Sequence, residues 1–399
     1  MPSRRLSSQK LSEDVYMRLP RVRVDVREVV KLCRSLYGLK QASRQWHHHL
    51  VRGMRGLGLS SVRLMRCVMR LVEAGAVSIV VVVHVDDIFA MGLKSRCDQF
   101  CKDLNQFVPI NNLGELRWYA GYRFSRDWDA GTLTISQQVF AESTVAKFGV
   151  TRGKCIPAVV DLKLEVFEKD EPDVDEPFRS LVGHLMWLAN QTRPDILNAV
   201  RAVARYSAAP KLLHWQAALH ILTYIKSTST YGISFQRGLS NGVQLELYVD
   251  ADYAHEANDR RSVSGGVVMC AGACVSFYSR TQKSITLSST EAEYVAMATG
   301  FREAIFMRYL WSFIFPDRDV GCTTVKEDNQ GAIHLAKNPV TTPNSKHIDV
   351  RHHFLRERVA NGEFEVVHVS SALQHADFLT KPLHTEAFRL HRNFVMNLW

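Results

Sequence analysis

The stretch from Val243 to Asp250 constrains this chain more than any other. Val243, Leu245, Leu247 and Val249 alternate with Gln244, Glu246, Tyr248 and Asp250. A period of two sends the two sets to opposite faces, so the stretch is a half-buried strand that ends on a carboxylate. GGVVMC and ACVSFYS follow as two more strands, joined by a short Ala-Gly turn as in a hairpin. Ser288-Ser289-Thr290-Glu291 is a capping-box pattern opening a long helix through TEAEYVAMATGFREAIFMRYL. Strand TTVKED, helix NQGAIHLA, helix VRHHFLRERVAN stopped by Gly362, strand EFEVVHV and helix HADFLTK complete the run. Three strands, a helix, a strand, helical segments, a strand and a last helix predict a mixed sheet with flanking helices.

Upstream, FRSLVGHLMWLAN, DILNAVRAVARYSA and HWQAALHILTYIKS are amphipathic helices separated by Arg193-Pro194 and Pro210. They lie between two breaks, KDEPDVDEP at 169–177 and GLSNG at 238–242. Before 169 the pattern is mixed strand and helix. The longest apolar run, Ala76 to Val83, stops at His84 and is a buried strand, too short for a membrane span. The expected divisions are therefore 1–168, a helical 169–242, a sheet domain 243–383 and a tail 384–399.

Charge is unevenly spread. Residues 1–70 carry 16 Lys+Arg against 4 Asp+Glu, a net of +12, and the remainder carries 34 against 36. A basic end of this kind predicts a polyanionic partner, with a merely solvated surface as the alternative. The eight cysteines form no scaffold of zinc spacing and are expected to be reduced thiols in an intracellular protein.

Four acids stand at element ends in the C-terminal third: Asp250, Glu291, Asp328 and Asp377. Carboxylates brought together repel, and divalent cations offset that repulsion. Two Mg2+ ions about 3.5–4 Å apart could stabilise the attacking water and leaving oxygen of a phosphodiester, although acids at element ends also serve as plain caps. A second acidic pair, Asp86-Asp87, follows the buried run SIVVVV and implies a tight hairpin tip. Two aspartates there are costly unless solvated or metal-bound.

Nine segments carry a resemblance. SLYGLKQASRQW (35–46), VVHVDDIFAMG (82–92), NNLGELRWYAG (111–121), VGHLMWLANQTRPDI (182–196) and DADYAHEANDRRSVSGG (250–266) are five of them. LSSTEAEYVA (287–296), EDNQGAIHLA (327–336), SKHIDVRHHFLRE (345–357) and QHADFLTKPL (374–383) are the others. Together, in this order, they resemble the Pol polyproteins of copia-type LTR retrotransposons. The resemblance implies a polymerase palm, a helical connection and a C-terminal RNase H-like domain, of mixed α+β and α/β class. It implies Asp250, Glu291, Asp328 and Asp377 as RNase H metal ligands, with Asp349 as fallback for the last, and Mg2+ or Mn2+ as the cofactor. The implied partner is an RNA–DNA hybrid, whose RNA strand would be cleaved.

In the polymerase region the resemblance assigns Asp86 to metal binding, with Asp87 its neighbour. Lys40 and Arg44, with Gln41 beside them, are either template or phosphate contacts or, equally, a solvated helix surface. His84 stands where the family has Tyr. The family's remaining polymerase Asp precedes a segment matched by Leu11, Glu13, Val15, Tyr16 and Met17, and counting back reaches Met1. A chain starting there is expected to be a palm lacking its front, and not to polymerise alone. Trp46 is expected to anchor packing. His47-His48-His49 fan out around a helix and cannot share one ion well. Lys346, His347, His352 and His353 are basic surface, and His375 a polar residue at a helix start with proton transfer as its alternative. The competing function is a catalytically inert relic that only binds nucleic acid.

Overall fold

The computed structural model describes residues 10–18, 29–34, 36, 39–62, 65–160, 162–165, 167, 171–238, 244–254, 259–338 and 349–398. Lys346 and His347 lie outside the described residues, as do the side chains of Leu11, Asp349 and His352. The chain divides into two compact units, one of residues 1–120 with 312–318, the other of residues 121–311 with 319–399.

In the first unit, strands Val68–Glu73, Ala76–His84 and Asp87–Gly92 form an antiparallel sheet in that order. Helix Ala42–Gly56 buries Ala42, Trp46, Leu50, Gly53 and Met54, residues three to four apart on one face. They pack with Met69, Ile79, Val81, Val83, Phe100 and Leu104 into one core. The β-branched run at 79–83 thus forms a strand because its side chains fill that core.

The second unit is built on a five-stranded sheet. Its spatial order is Ala273–Thr281, Val263–Cys270, Leu245–Asp252, Thr323–Glu327, Phe364–His368. The first three strands pair antiparallel and the last two run parallel to the central one. The expected Ala-Gly hairpin turn is there, with Ala271 at φ 50° and Gly272 at φ 76°, the left-handed pair that matches strand twist. Leu245, Leu247 and Val249 pack with Tyr294, Met297 and Phe301 of helix Ser289–Ile314 on one face. Tyr248 of the same strand joins the opposite core.

That opposite core corrects the expected divisions. Helices Phe178–Ala189 and Leu212–Ser227 contribute Leu181, Leu185, Ile221 and Leu222 to the cluster that holds Val267, Met269 and Phe378. Strand Gly232–Gln236 pairs with Thr132–Ser136. The helical stretch is therefore part of the sheet unit, and the chain divides near residue 120 rather than at 168 or 242. Amphipathic helices need an apolar surface to cover, and the second face of the sheet supplies it.

One glycine is decisive for the site. Asp250 pairs with Gly265, and a Cβ at Gly265 would lie 2.7 Å from Thr380 Cγ2, 2.9 Å from Leu379 Cβ and 3.2 Å from the Ala376 carbonyl oxygen. The bare backbone lets the 376–380 segment lie directly on the strand. Gly265→Ala is expected to lower stability by about 1–3 kcal/mol through overpacking, read as a fall of several degrees in melting temperature. A melting curve superposable on wild type would refute the close-approach argument.

Candidate carboxylate site

Asp250 sits in the last turn of residues of the central strand, and Asp328 follows the end of the neighbouring strand Thr323–Glu327. Adjacent parallel strands bring their C-terminal ends together, where ligands of mixed and parallel sheets gather. Helix Ser289–Ile314 brings Glu293 to the same place. Asp250, Glu293 and Asp328 each offer an oxygen within 4.8 Å of the others.

Glu291 is not part of this cluster, which corrects the sequence expectation. Its carboxylate accepts from the Leu287 amide at 2.7 Å, while its own amide donates to Ser288 Oγ at 3.1 Å. The capping box thus occupies Glu291 with orphan N–H groups of the helix start. Glu293 lies one turn before the buried Ala296 and Met297, as Glu291 does before Tyr294 and Val295, so the signal that separates the two is the Ser288 cap, which claims Glu291 and leaves Glu293.

The cluster is deep and electrostatically loaded. Asp250 is 2% exposed and Glu293 6%. Burial first, then Glu327, Asp250 and Asp328, push the Glu293 carboxyl up to about 11. Burial also raises Asp250, opposed by the Lys381 ammonium and a hydrogen bond from Thr380. Glu327, fully buried beside the group, is raised well above the ordinary carboxylate value by burial and its acidic neighbours. Sequence reasoning did not single it out. One of its oxygens accepts from the Asn329 amide at 2.9 Å.

Asp377 flanks the triad rather than joining it. The segment expected as helix HADFLTK forms only a 3-10 turn, Asp377–Leu379. Its Thr380 hydroxyl donates to Asp250 Oδ2, and Lys381 Nζ lies 3.0 Å from Asp377 Oδ2 and 3.9 Å from Asp250 Oδ2. Burial and Asp250 push the Asp377 carboxyl up to about 7. On the other side, Ser371 Oγ donates to Asp328 Oδ2 at 2.7 Å.

His375 points away from this chemistry. Its ring stacks on Phe394 at 3.7 Å and its Nδ1 lies 3.1 Å from Nδ1 of His391. Burial pushes it down to about 4, so it is a neutral core imidazole at neutral pH. All eight cysteines are free thiols.

In the first unit, Val85 and Asp86 form the two-residue tip between strands Ala76–His84 and Asp87–Gly92. Val85 has φ 53°, a left-handed conformation that costs a β-branched residue about 1–3 kcal/mol. Trp46 holds the tip, its indole Nε1–H donating to the Val85 carbonyl oxygen at 2.9 Å. Trp46 is therefore an anchor, as expected, and not an open stacking platform. Asp86 Oδ1 is buried without a hydrogen-bond partner, while Asp87 is exposed. Lys40 and Arg44 are exposed at the start of helix Ala42–Gly56, and Gln41 caps it with no side-chain bond to its backbone. His47 and His48 diverge, with ring centroids 6.4 Å apart. Among the described residues, no helix is long and apolar enough to cross a membrane.

Residues 5–160 match the family described as reverse transcriptase (RNA-dependent DNA polymerase). The chain is 31% identical over 398 residues to the retrovirus-related Pol polyprotein from transposon TNT 1-94 of Nicotiana tabacum, covering 96% of this chain and 30% of that protein. It is 32% identical over 394 residues to the corresponding polyprotein from transposon RE1 of Arabidopsis thaliana, covering 95% and 26% respectively. Among solved structures, RNase H1 from Halobacterium salinarum NRC-1 aligns at 18% identity and TM-score 0.27, over 34% of this chain and 94% of that one. The chain thus spans about 30% of the length of the first of these polyproteins. With 96% of its residues inside that likeness, the chain belongs to the retrovirus-related Pol polyproteins of copia-type transposons and carries a reverse-transcriptase region at its N-terminal end.

Proposed function

We propose that the second unit is a ribonuclease H, cleaving the RNA strand of an RNA–DNA hybrid with divalent cations, Mg2+ or in its place Mn2+. The carrying observation is the convergence of Asp250, Glu293 and Asp328 within 4.8 Å. The donor set fits a hard cation, because all ligands are carboxylate oxygens and no histidine or thiolate is among them. Glu293 Oε2, Glu327 Oε2 and Asp377 Oδ1 are buried with no hydrogen-bond partner, an arrangement that leaves acceptors to spare for an ion.

Asp250, Glu293 and Asp328 would hold the cation, and Asp377 would line its flank. Once bound, the ion supplies charge stabilisation to a phosphodiester under attack and lowers the pKa of a water. The protein's own work is to orient. Thr380 fixes the rotamer of Asp250, Ser371 that of Asp328, and Lys381 ties Asp377 to Asp250. The hybrid would be read by its shape and 2′-hydroxyls rather than by sequence. Lys40 and Arg44 would contact phosphates, a role in keeping with the net charge of +12 on residues 1–70. Asp86, with its partnerless oxygen at a hairpin tip, is the acid we assign to cation binding in the reverse-transcriptase region.

The experiment is cleavage of labelled RNA in a hybrid by the purified chain with Mg2+. Wild type is expected to cleave and Asp328→Asn to fall to background. Mg2+ at a hundred times its dissociation constant should also stabilise wild type by about 2.7 kcal/mol in a thermal melt, and Asp250→Asn should lose that gain. Equal inertness of wild type and Asp328→Asn across Mg2+ and Mn2+ concentrations, with no thermal shift, would defeat the proposal. Hybrid affinity falling steeply with salt but without turnover would instead favour the inert nucleic-acid binder.

A further inference from the structure

The carboxylate site contains a cation of its own. Lys381 extends its ammonium between Asp377 and Asp250, at 3.0 Å from one carboxylate and 3.9 Å from the other. We propose that Lys381 is a built-in competitor for a second divalent cation. It holds the Asp250–Asp377 edge as an ion pair, so that the site takes one ion tightly at Asp250, Glu293 and Asp328 and a second only weakly. This inference rests on the ribonuclease reading of the same site and says how that site counts its metals.

Three observations carry it. First, the acids are unequal. Asp250, Glu293 and Asp328 converge within 4.8 Å, whereas Asp377 is outside that group and is in contact with Lys381. A second ion bridging Asp250 and Asp377 would have to enter where the Lys381 ammonium now faces both carboxylates. Second, the placement of Lys381 is enforced by the backbone. Its amide donates to the Asp377 carbonyl oxygen at 3.1 Å, and the Thr380 hydroxyl next to it is bonded to Asp250. The whole segment lies against strand Val263–Cys270 at Gly265. A lysine on a free loop could swing clear, but one held at its own amide and at the residue before it has only its side chain to move. Third, the ammonium is partly shielded from water: its side chain is only 38% exposed, so its attraction to Asp377 and Asp250 is poorly screened.

An ammonium and a divalent ion cannot share one carboxylate edge without repulsion. Displacing Lys381 from Asp377 is therefore part of the cost of admitting the second ion. A hybrid's phosphate arriving at the site would offer Lys381 an alternative anion, which couples second-ion entry to substrate. Lys381 acts through Asp377 and Asp250 and is a positioning residue.

The test counts Mn2+ bound to the full chain by the electron paramagnetic resonance of free Mn2+, without substrate. Wild type is expected to hold one Mn2+ tightly and a second weakly. Lys381→Gln should bind the second about tenfold more tightly, leaving the first unchanged, and Lys381→Arg should behave as wild type. Asp377→Asn combined with Lys381→Gln should lose the gain. Lys381→Met, which keeps the stem and drops the charge, is the second neutral variant, and melting curves establish that each is folded. An unchanged or weaker second site in both neutral variants would overturn the proposal, as would a gain that persists without Asp377. If wild type binds no Mn2+ and cleaves no hybrid, the ribonuclease reading itself falls. If it cleaves hybrid while the second site ignores Lys381, only the present inference falls.

Discussion

Glu293→Gln is expected to abolish hybrid cleavage while Glu291→Gln, two residues away, leaves it within a few-fold of wild type. The two glutamates share a helix turn but not an environment. Glu293 is buried among Asp250, Asp328 and Glu327, and glutamine puts a neutral amide in place of one of the three converging carboxylates. Loss of one such ligand removes several kcal/mol of charge stabilisation, about 10³-fold or more in rate. Folding should gain, because without a cation the buried Glu293 carboxyl must take up a proton on folding, whereas glutamine needs none. Glu293→Gln is thus predicted to be inactive yet at least as stable as wild type when melted without divalent cation. Glu291→Gln keeps an acceptor for the Leu287 amide and should change stability by well under about 1 kcal/mol. Single-turnover cleavage rates and cation-free melting curves on both variants measure the contrast. Equal activity loss in the two would mean that the cluster seen at Glu293 is not the one that works.

The reason the sequence pointed to the wrong glutamate is instructive. Ser288 and Glu291 form a capping box, and a carboxylate committed to backbone N–H groups is not also available to an ion. The two roles were assigned to one side chain. Helical spacing does not separate them, since Glu291 precedes the buried Tyr294 and Val295 as Glu293 precedes Ala296 and Met297; the cap at Ser288 does. Asp250 and Asp328 were legible because each ends an alternating strand, and strands that pair in parallel align their ends. The sheet order was legible for the same reason, together with the Ala271-Gly272 turn. Lys381 was not, because a lysine thirteen residues past the last strand, Phe364–His368, carries no periodic signal, and the approach at Gly265 brings its segment to the acids. The domain boundaries failed for a different reason. Pro- and Asp-rich loops mark exposed chain, but whether helices on either side share a core depends on long-range packing, such as the one core that holds both Leu181 and the sheet residue Val267.

The reverse-transcriptase region divides along similar lines. The apolar run and the Asp86-Asp87 tip were visible as pattern, and a two-residue hairpin between paired strands is what such a pattern requires. The left-handed Val85 was not visible, because residues that favour positive φ are Gly, Asn and Asp rather than valine. The Trp46 indole bond to the Val85 carbonyl oxygen supplies the external hold that such a conformation needs. An acid presented on a strained, anchored turn is fixed in direction, which is what a cation ligand needs and a plain polar turn does not.

Arg193→Met is expected to destabilise the second unit more than any other single change in its core, by about 3–5 kcal/mol. Arg193 is 1% exposed. Its guanidinium pairs with Asp195 through two parallel bonds, Nε to Oδ1 at 2.9 Å and Nη2 to Oδ2 at 2.8 Å. It also donates to the Thr228 carbonyl oxygen at 2.9 Å and the Thr228 hydroxyl at 2.7 Å, at the end of helix Leu212–Ser227. Tyr224 of that helix donates its hydroxyl to the same Asp195 carboxylate at 2.7 Å. One buried ion pair thus joins the Pro194 turn to the helix that covers the sheet. Methionine fills similar volume but leaves Asp195 charged, buried and bonded only through Tyr224, and leaves the Thr228 carbonyl with the Tyr231 amide alone. Uncompensated burial of a carboxylate is what makes the loss large. At roughly 2–4 °C per kcal/mol for a unit of this size, the melting temperature should fall by on the order of 10 °C. Asp195→Asn in the same background should recover part of the loss, because the stranded charge is then gone, although neither change alone stabilises. A fall below about 1 kcal/mol, or a double variant worse than the sum of the singles, would show that water reaches the pair. Either result would make the helical region a loosely docked cover rather than part of the sheet's core.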